Sequence, residues 1–434
     1  MNQRLFKKIK DRIAVIAVVG IGYVGLNLAV ELAKAGYKTI GLDMDMNKVE
    51  MVNRGQSYIE GIEEEELCTV IVQQKLSASM DFSCLKEVDC VLICVPTPLD
   101  QNLQPDISSI KESVKQINQY LHKGMLIVLE STTYPGTTEE VVKPLLEQTE
   151  LVCEQDFYLA FSPERVDPGN KIFNIKNTSK LVSGIGKDST ELAELLYKEL
   201  LDAKVLVVSN PAVAEMVKVF ENTFRYINIA FVNEMAVLCN SMGIDIWEVI
   251  AAAESKPYGF MPFYPGPGIG GHCIPIDPLY LDWKFKEKGF TNKFIQAARE
   301  IDGYMPKYVV ERSAKILRKF DRTIEKSNIL LLGVAYKQNI NDVRESPVLH
   351  IIKLLEADGA TVKYNDPFIS KFRLDGREYT SIELTEDNLC KSDLVIISTP
   401  HSIYDLKYIQ KNSKYIFDIR NAINGISYSN VERL

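Results

Sequence analysis

The sequence predicts an α/β protein in which two doubly wound parallel-sheet domains are joined by a central helical domain. Two observations support this prediction. Apolar, β-branched runs alternate with amphipathic stretches from Ile13 to about Lys204 and again after about Asp321, which is typical of parallel strands covered by helices on both faces. The segment between these regions has a helical pattern. A chain of 434 residues has room for this arrangement, since domains usually hold about 100–200 residues.

The first domain is predicted to span residues 1–208 and to begin with a buried strand from Ile13 to Val19. Basic residues precede this apolar run, as they do in a secretory leader. The run is short, however, and glycines follow it where a leader would have a small-residue cleavage site. No stretch reaches the roughly 18–20 apolar residues that a membrane-spanning helix requires. We therefore expect a cytoplasmic protein that does not enter a membrane.

A glycine-rich turn follows this strand, and an acidic residue ends the next one. Glycines at this spacing allow a tight turn and the close approach of a pyrophosphate to a helix N-terminus, while the acidic residue binds the ribose hydroxyls. A tight turn without a ligand is the alternative. Because the carboxylate of Asp43 would repel a 2′-phosphate, we expect NAD rather than NADP. The first domain is thus predicted to be Rossmann-like, with cofactor contacts from Gly20, Gly22, Tyr23, Val24, Gly25 and Asp43.

Polar residues also follow three later strands of the first domain. Thr97 lies in VPTP, Thr132 in ESTTYPGTT, and Glu164 with Arg165 in SPER. Open α/β sheets bind ligands at the carboxyl ends of their strands, so the two threonine hydroxyls can hold the nicotinamide or a water. Turn chemistry is the alternative explanation for them. Glu164 is either a base or a solvated loop carboxylate.

The central domain is predicted to span residues 209–305. Its first part has apolar residues at helical spacing on more than one face, so much of it should be buried, and a dimer interface is one way to bury it. Lys218 and Asn222 stand at i and i+4 and share one face of this helix. They form either a solvated pair or a pair of donors for a developing oxyanion.

A glycine-rich loop follows this helical stretch. Four glycines in six residues, from Gly266 to Gly271, exclude a stable helix or strand and leave backbone that can lie against a ligand. Cys273 and Asp277 are set into the same loop. A lone cysteine is usually a small, inert apolar residue, but this setting makes Cys273 a candidate nucleophile.

The eight cysteines and four histidines are scattered along the chain without the spacing of zinc ligands or of a disulfide framework. We therefore expect reduced thiols and no bound metal. The net charge of −8 provides no overall basic field, so nucleic acid is not an expected partner.

The third domain is predicted to span residues 306–434. The stretch from Asp393 to Pro400 aligns with that from Asp89 to Pro96, so this domain resembles a degraded copy of the first. It has no glycine fingerprint, and we expect it to keep the fold without binding a dinucleotide. Two αβ domains that flank a helical one place a cleft between them.

Two cations stand near a strand end of the third domain. Lys337 as a point charge and Arg344 as a bidentate fork suit a diphosphate. A structural salt bridge from Arg344 to Asp342 or Glu345 is the alternative.

Over essentially the whole chain, from Ile13 to about Asn424, the sequence resembles the UDP-glucose/GDP-mannose dehydrogenase family. The likeness consists of seven motifs in the family's order: GIGYVG with Asp43, VPTP, ESTTYPGTT, SPER, KVFEN, GGHCIPID and GVAYKQNINDVRES. The resemblance implies an NAD-dependent enzyme that oxidises the C6 hydroxyl of a UDP-sugar to a carboxylate, for the synthesis of surface polysaccharide precursors. It also implies a third domain that binds the UDP-sugar and a homodimer or higher homo-oligomer.

The resemblance also implies roles for individual residues. Cys273 resembles the nucleophile that forms a thiohemiacetal and then a thioester, Lys218 and Asp277 the pair around the reacting oxygen, and Asn222 their helical companion. Thr132 resembles the threonine that positions water, and Glu164 the glutamate that activates it. Substrate contacts are expected from Glu164, Arg165, Lys218, Asn222, Gly270, Lys337 and Arg344.

Two positions depart from UDP-glucose enzymes. Pro168 stands where those enzymes carry a second acidic residue, and His272 stands where they carry a serine before the cysteine. Together with the motif GGHCIPIDP, which resembles that of the UDP-N-acetylhexosamine branch of the family, these differences favour a UDP-N-acetylhexosamine, with UDP-N-acetylglucosamine as the first expectation. UDP-N-acetylgalactosamine, UDP-N-acetylmannosamine and UDP-glucose are the alternatives.

Two other classes of protein provide competing hypotheses. A two-electron dehydrogenase of the hydroxyacid type shares the cofactor domain and the helical middle, but it needs neither the cysteine loop nor a third domain. A nucleotide-sugar sensor with a relic active site would bind without turnover. The intact set of Lys218, Asn222, Cys273 and Asp277 argues against a sensor.

Overall fold

The computed structural model describes residues 3–59, 61–166, 170, 172–423 and 428–434. The chain divides into two compact units. The first comprises Met1–Glu221 and Leu279–Phe290, and the second comprises Asn222–Pro278 and Thr291–Leu434. Each unit contains one large sheet that is mostly or wholly parallel, and long helices separate the two sheets in the sequence. The predicted fold class is confirmed.

The described strands and helices are as follows in chain order. The strands are β1 Val15–Val19, β2 Lys38–Leu42, β3 Leu76–Ser79, β4 Cys90–Ile93, β5 Leu126–Leu129, β6 Tyr158–Phe161, β7 Lys180–Gly184, β8 Val205–Val207, β9 Asn328–Leu332, β10 Thr361–Asn365, β11 Lys371–Leu374, β12 Arg377–Thr380, β13 Leu394–Ile397, β14 Ile416–Asp418 and β15 Val431–Arg433. The α-helices are α1 Gln3–Lys10, α2 Tyr23–Lys34, α3 Met46–Asn53, α4 Glu64–Val72, α5 Ser108–Asn118, α6 Lys143–Leu146, α7 Lys187–Leu200, α8 Pro211–Ser241, α9 Ile246–Glu254, α10 Asp277–Glu287, α11 Lys293–Arg318, α12 Pro347–Ala357, α13 Glu386–Lys391 and α14 Leu406–Asn412.

The first unit contains an eight-stranded sheet in the order β3-β2-β1-β4-β5-β6-β7-β8. The strand order reverses at β1, since β2 and β3 lie on one side of it and β4 lies on the other. Ligands of open α/β sheets bind at such a switch point. Strands β4, β5 and β6 are buried at every residue, which explains why they read as unbroken apolar runs.

Strand β7 departs from the all-parallel sheet that the sequence predicts. It pairs antiparallel with β6, through Ala160 with Gly184 and Phe161 with Ser183, and parallel with β8. A parallel return requires a crossover, usually a helix, and the described part of the connection from 162 to 179 holds only turns and bends. The first residue of β7 therefore lies beside the carboxyl end of β6.

The second unit contains a five-stranded sheet in the order β10-β9-β13-β14-β15, with parallel neighbours throughout. Its β9 and β13 are adjacent, as β1 and β4 are in the first unit. Asp89 accepts a hydrogen bond from the N–H of Val15 at 3.0 Å, and Asp393 accepts one from the N–H of Asn328 at 2.9 Å. The two stretches that align in sequence thus hold equivalent positions in their sheets.

The middle of the chain is helical, as predicted. Helix α8 has 31 residues and is therefore about 46 Å long. Helix α11 runs from Lys293 to Arg318 and accommodates Pro306. Among the described helices, none combines the length and the apolar surface that a membrane crossing needs. The domain boundaries at 208/209 and 305/306 stay predictions.

Candidate active site

The glycine-rich turn of the first unit connects β1 to α2. Gly20 has a φ of +87°, and α2 begins at Tyr23 with Gly22 as its N-cap. Because Gly22 has no side chain to cap the helix, an anionic ligand can interact with the positive end of the helix dipole there.

The three glycines of this turn have different packing. A Cβ at Gly25 would lie 1.8 Å from the carbonyl oxygen of Gly20, and a Cβ at Gly20 would lie 2.8 Å from that of Cys94. These two positions require glycine for the fold of the turn. A Cβ at Gly22 would meet nothing within 4 Å, so this is the open side from which a pyrophosphate can approach the backbone. The turn therefore fits the dinucleotide that the sequence predicts.

Asp43 follows β2 directly and holds the same turn. Its Oδ2 accepts a hydrogen bond from the N–H of Ile21 at 3.1 Å, and its Oδ1 accepts one from the N–H of Asp45 at 3.0 Å. The Nζ of Lys48 lies 3.4 Å from Oδ2. A carboxylate has about four lone-pair sites, so this partly exposed group can also accept hydrogen bonds from ribose hydroxyls.

Thr97 and Thr132 are both partly exposed in loops that follow strands of the first sheet. The carbonyl oxygens of Thr97 and Pro98 accept hydrogen bonds from the hydroxyl of Tyr280 at 2.9 and 3.0 Å. This contact fixes the backbone of the loop after β4. The predicted contacts of both threonine side chains with cofactor or water stay proposals.

The loop after β5 is held by Glu215, a residue that no motif in the sequence singles out. Glu215 is the fifth residue of α8 and is fully buried. Its carboxylate accepts hydrogen bonds from the N–H of Gly136 and from the N–H and hydroxyl of Thr138, the latter two at 2.8 and 2.6 Å. Burial raises the pKa of Glu215 to about 7, although these hydrogen bonds oppose the effect. The loop that carries Thr132 is therefore anchored to α8.

Glu164 follows β6 and is largely buried, with 12% of its side chain exposed. Its Oε1 accepts hydrogen bonds from the N–H groups of Arg165 and Val166 at 2.7 and 2.6 Å, and its Oε2 lies 3.3 Å from the Nζ of Lys180. Burial acts to raise the pKa of Glu164, but Lys180, the N–H of Val166 and Lys218 together hold it below its usual value. Glu164 is thus an oriented, ionised group rather than a solvated loop carboxylate.

Lys218 and Glu164 meet in the first unit, because the Nζ of Lys218 donates a hydrogen bond to the backbone carbonyl of Glu164. The neighbouring Arg165 contacts other protein groups. Its Nε lies 3.3 Å from Glu221, and its Nη1 donates to the carbonyl of Ser179 at 3.0 Å. The predicted contact of Arg165 with the substrate stays a proposal.

The cysteine loop of the second unit brings three candidate residues together. The N–H of Asp277 donates to the carbonyl of Cys273 at 2.8 Å, so the two residues are separated by one helical turn, and Asp277 begins α10. The side-chain amide of Asn222 donates to the carboxylate of Asp277, and both of these side chains are buried. The orientation of Asp277 is thus fixed from α8.

Cys273 is exposed, as a nucleophile must be. Cys90, Cys94 and Cys153 are buried, and burial raises the pKa of each thiol above its usual value. Since the thiolate is the reactive form, these buried thiols are unreactive.

Two polar side chains hold the glycine-rich loop of the second unit. The Oδ1 of Asn233 accepts a hydrogen bond from the N–H of Gly266 at 2.9 Å, and Asp302 accepts one from the N–H of Ile269 at 2.7 Å. Burial raises the pKa of Asp302 to about 6. No local pattern in the sequence singles out either residue, because a polar residue in a helical pattern is usually solvated.

Glycine is required at two further positions of this loop for packing. A Cβ at Gly270 would lie 2.8 Å from the carbonyl oxygen of Glu345 and from the Cβ of Tyr336. Gly271 has a φ of +88°, and a Cβ there would lie 2.8 Å from the Tyr336 ring. The loop therefore packs against the segment after β9, and the predicted substrate contact at Gly270 stays a proposal.

Arg344 forms the salt bridge that was the alternative to its predicted role. Its Nε and Nη2 lie 3.0 and 2.9 Å from the two carboxylate oxygens of Asp342, and Asp342 also lies 3.0 Å from the Nε2 of His272. Burial and the charge of Arg344 lower the pKa of His272. Because 71% of the Arg344 side chain is exposed, the pair contributes at most about 1 kcal/mol, and the predicted contact of Arg344 with a diphosphate stays a proposal. Lys337 is partly buried in the same segment.

The candidate residues thus meet in two groups, Lys218 with Glu164 and Asn222 with Asp277 and Cys273. Pro168 lies outside the described residues. The hydroxyl of Tyr58 donates a hydrogen bond to the carbonyl of Ile21 in the dinucleotide turn. No local sequence pattern indicates that contact.

Three features define the class of protein: a sheet with a dinucleotide turn, a helical middle with a cysteine loop, and a second αβ sheet without the turn. The class is that of NAD-dependent dehydrogenases with a separate nucleotide-binding domain. Comparison with known families identifies the member of this class. The chain belongs to the UDP-glucose/GDP-mannose dehydrogenase family: the NAD binding domain matches residues 14–201, the central domain residues 212–304 and the UDP binding domain residues 330–425. The protein is an NAD-dependent nucleotide-sugar dehydrogenase.

Named relatives span nearly the whole chain. A UDP-N-acetyl-D-mannosamine dehydrogenase of Methanococcus maripaludis is 35% identical over 94% of this chain and 93% of its own. A UDP-N-acetyl-D-glucosamine 6-dehydrogenase of Salmonella typhi is 34% identical over 94% of this chain and 96% of its own. Among solved structures, a UDP-D-ManNAc dehydrogenase from Pyrococcus horikoshii aligns with a TM-score of 0.88 and 32% identity, over 96% of this chain and 98% of its own.

Proposed function

We propose that the protein oxidises the C6 hydroxyl of a UDP-N-acetylhexosamine to a carboxylate, with Cys273 as a covalent nucleophile. The observation that supports this most directly is the turn in which Cys273 precedes Asp277, whose carboxylate is bound by Asn222. An exposed thiol next to an oriented acid and amide suits covalent chemistry on a carbonyl carbon.

NAD, which would bind at the glycine-rich turn, would accept one hydride in each oxidation, so two NAD molecules would be consumed in succession. The residues of the chain handle the protons and the charge on oxygen. In the first oxidation, the C6 hydroxyl loses its proton through Lys218, Asp277 and a water, and an aldehyde forms. The ammonium of Lys218 and the amide of Asn222 stabilise negative charge that develops on the oxygen.

The thiolate of Cys273 then forms a C–S bond to C6 of the aldehyde and gives a thiohemiacetal, which the second oxidation converts to a thioester. Thr132 positions a water, and Glu164 accepts its proton as the water attacks C6. The C–S bond breaks, the Cys273 thiolate leaves, and the carboxylate is released. Covalent retention prevents loss of the reactive aldehyde.

For the sugar we propose UDP-N-acetylglucosamine first and UDP-N-acetylmannosamine second. The relatives named for these two sugars are 34% and 35% identical, so similarity alone does not separate these epimers. His272 before the nucleophile supports an N-acetylhexosamine over UDP-glucose. A UDP-linked uronic acid is an activated sugar donor, which fits the synthesis of surface polysaccharide precursors.

Incubation of the purified protein with NAD and each of the UDP-sugars tests this proposal. We expect two NADH per sugar consumed and a uronic acid product with one of the N-acetylhexosamines, and much slower turnover of UDP-glucose. One NADH per substrate supports a two-electron dehydrogenase of the hydroxyacid type instead. Tight binding of a UDP-sugar without any NADH supports a sensor.

The variant Cys273→Ser tests the covalent step. We expect it to bind NAD and UDP-sugar normally, while carboxylate formation falls by at least about 100-fold, because a hydroxyl cannot replace the thiolate as nucleophile. Product is measured by mass spectrometry. Cys390→Ser is the control, since Cys390 is also exposed and belongs to the second unit. Undiminished carboxylate formation by Cys273→Ser would refute the covalent role.

We also propose that the protein forms a homodimer through α8. Exposed apolar side chains recur at intervals of four or seven residues along one stripe of this helix, namely Val213, Phe220, Phe224, Phe231 and Leu238. An exposed apolar stripe of this length is typical of an interaction surface. Pairing with the same stripe of a second copy buries it on both chains, as in an isologous interface.

A further inference from the structure

A buried cluster of polar groups in the first unit lies next to Glu164. The cluster consists of Lys180, Glu130 and Tyr197. The side chain of Lys180 is 9% exposed and that of Glu130 is 0% exposed, and Tyr197 is fully buried. Lysine and glutamate are almost never buried to this extent unless they are paired. None of the three has a part in the mechanism proposed above.

The antiparallel pairing of β6 and β7 places Lys180 beside Glu164. Phe161 pairs with Ser183, and continuation of this register by three residues sets Glu164 opposite Lys180. The Nζ of Lys180 lies 3.3 Å from the Oε2 of Glu164. If β7 were parallel to β6, it would begin beside the amino end of β6, and Lys180 would not contact Glu164.

Glu130 holds the ammonium of Lys180 from the other side. It follows β5, forms an ion pair with Lys180 and accepts a hydrogen bond from the hydroxyl of Tyr197. Its side chain has no solvent-exposed surface, whereas 12% of the Glu164 side chain is exposed. Glu130 therefore acts as an anchor for Lys180, and Glu164 is the carboxylate that water can reach.

One ammonium thus serves two carboxylates. A buried pair of Lys180 and Glu130 would be neutral, and such pairs add little stability because the loss of hydration offsets their attraction. Addition of Glu164 gives the cluster a net negative charge and increases that cost. The cluster thus adds little to the stability of the fold, but it keeps one accessible carboxylate ionised. This combination is typical of a functional site.

We propose that Lys180 is a positioning residue that orients Glu164 and keeps it ionised as the base that activates water, and that Glu130 holds Lys180 in place. This inference rests on the role of Glu164 in the proposed function. The backbone N–H groups of Arg165 and Val166 fix the other oxygen of Glu164, so Lys180 completes the orientation of the carboxylate.

The other titratable groups around Glu164 have partners or are neutral. Lys218 of α8 donates a hydrogen bond to the Glu164 carbonyl, and Arg165 forms an ion pair with Glu221 of α8. The hydroxyl of Tyr197 on α7 donates to Glu130. Burial and the charge of Glu130 raise the pKa of the Cys94 thiol, which follows β4. Burial raises the pKa of Glu164, and Lys180 is the strongest opposing influence. Loss of Lys180 therefore shifts the pKa of Glu164 upward.

The test compares wild type, Lys180→Met and Lys180→Arg in the rate of uronic acid formation from about pH 5 to 9. The acid limb is the low-pH side of the profile, on which the rate rises as Glu164 loses its proton. In Lys180→Met we expect this limb to move to higher pH by a unit or more, so that at a pH on the limb hydrolysis is at least about tenfold slower than in wild type. The thioester then accumulates, and a rapid burst of two NADH per active site precedes slow turnover. Lys180→Arg retains the cation and restores the acid limb.

Glu130→Gln provides a second test with the opposite sign. It removes a negative charge near Glu164 and leaves the ammonium of Lys180 with Glu164 as its remaining carboxylate partner, so we expect the acid limb to move to lower pH. If Lys180 acted only through packing, both variants would lower the rate at every pH and leave the limb unmoved. Should Lys180→Met fail to fold, Glu130→Gln decides the question, because a shift of its acid limb to lower pH supports the positioning role and an unmoved limb contradicts it.

Lys198→Met is the matched control, because Lys198 on α7 forms an exposed ion pair with Glu194 at 2.7 Å and should leave the profile unchanged. Glu164→Gln separates the inference from the proposed function. If Glu164→Gln slows hydrolysis and Lys180→Met leaves the acid limb unmoved, the inference is wrong and the function stands. If Glu164→Gln hydrolyses the thioester normally, the assignment of the base is wrong whatever Lys180 does.

Discussion

Asp43 and Asp366 both follow the strand next to the first strand of their sheet, and their contacts differ. Asp43 is partly exposed and accepts one hydrogen bond from its turn, from Ile21. Asp366 is buried, and its Oδ2 accepts hydrogen bonds from both N–H groups of 334–335 and contacts the ring of His401. Its Oδ1 accepts two further backbone hydrogen bonds. The carboxylate of Asp366 is thus saturated by protein groups and does not have the spare acceptor sites with which Asp43 can bind ribose hydroxyls.

At the same scale, Gly25→Ala and Gly22→Ala should have different effects. The methyl group of Gly25→Ala overlaps the Gly20 carbonyl oxygen, at 1.8 Å, so we expect a loss of about 1–3 kcal/mol in the free energy of unfolding and weak NAD binding. Gly22→Ala meets nothing within 4 Å and should keep wild-type stability, yet lower NAD affinity at least tenfold because its methyl lies on the open side of the turn.

Thermal melts without NAD and titration with NAD by calorimetry check this pair of variants. Equal melting temperatures for the two variants would show that the packing of Gly25 is not what requires glycine there. Unchanged NAD affinity in Gly22→Ala would contradict the approach of the pyrophosphate to this side of the turn.

The cysteine loop illustrates the element scale. A segment rich in glycine has a large conformational entropy to lose when it becomes ordered. Hydrogen bonds from the N–H groups of Gly266 and Ile269 to Asn233 of α8 and Asp302 of α11 oppose that loss. The two helices therefore hold the loop that carries Cys273.

Asp302→Asn should change how stability depends on pH. The pKa of Asp302 is raised from about 3.9 in an unfolded chain to about 6 in the fold. A raised carboxyl pKa contributes stability that is fully present below about pH 4 and is lost as the pH rises through about 6. The total is roughly 3 kcal/mol, and the amide variant, which still accepts from Ile269, lacks this dependence.

Urea unfolding of wild type and Asp302→Asn at several pH values between about 4 and 7 measures the effect. The variant should gain stability relative to wild type as the pH rises through this range. If the free energy of unfolding changes with pH in the same way in both proteins, Asp302 does not titrate in this range.

At the scale of the whole molecule, the apolar stripe of α8 gives the proposed homodimer a specific test. The double variant Phe224→Asp with Phe231→Asp places two carboxylates on the stripe, where 43% and 56% of these side chains are exposed. Because the unpaired charges cannot be buried against a second copy, we expect a shift from dimer to monomer. Ile403→Asp is the control, since Ile403 is 68% exposed and lies in the connection between β13 and α14.

Light scattering after size-exclusion chromatography gives the mass of each variant. A monomeric wild type would exclude the homodimer. A double variant that stays dimeric while Ile403→Asp becomes monomeric would move the interface to another surface.

The sequence by itself determined the features that depend on neighbours along the chain. The alternation of apolar runs and amphipathic stretches indicated both sheets, the spacing of Gly20, Gly22 and Gly25 indicated the dinucleotide turn, and the four glycines before Cys273 indicated a loop. These features follow from local rules for strand, helix and turn, so the fold class, the cofactor and the family could all be predicted from them.

The tertiary structure alone decided the contacts between distant residues. Glu130, Glu164 and Lys180 come from the ends of two strands and the start of a third, and only the antiparallel register of β7 brings them together. In the sequence each of them looks like an ordinary charged residue at the boundary of a strand. Strand direction and register depend on the packing of the whole sheet, and side-chain burial follows from them, so no local spacing could have shown that these three charges are buried together.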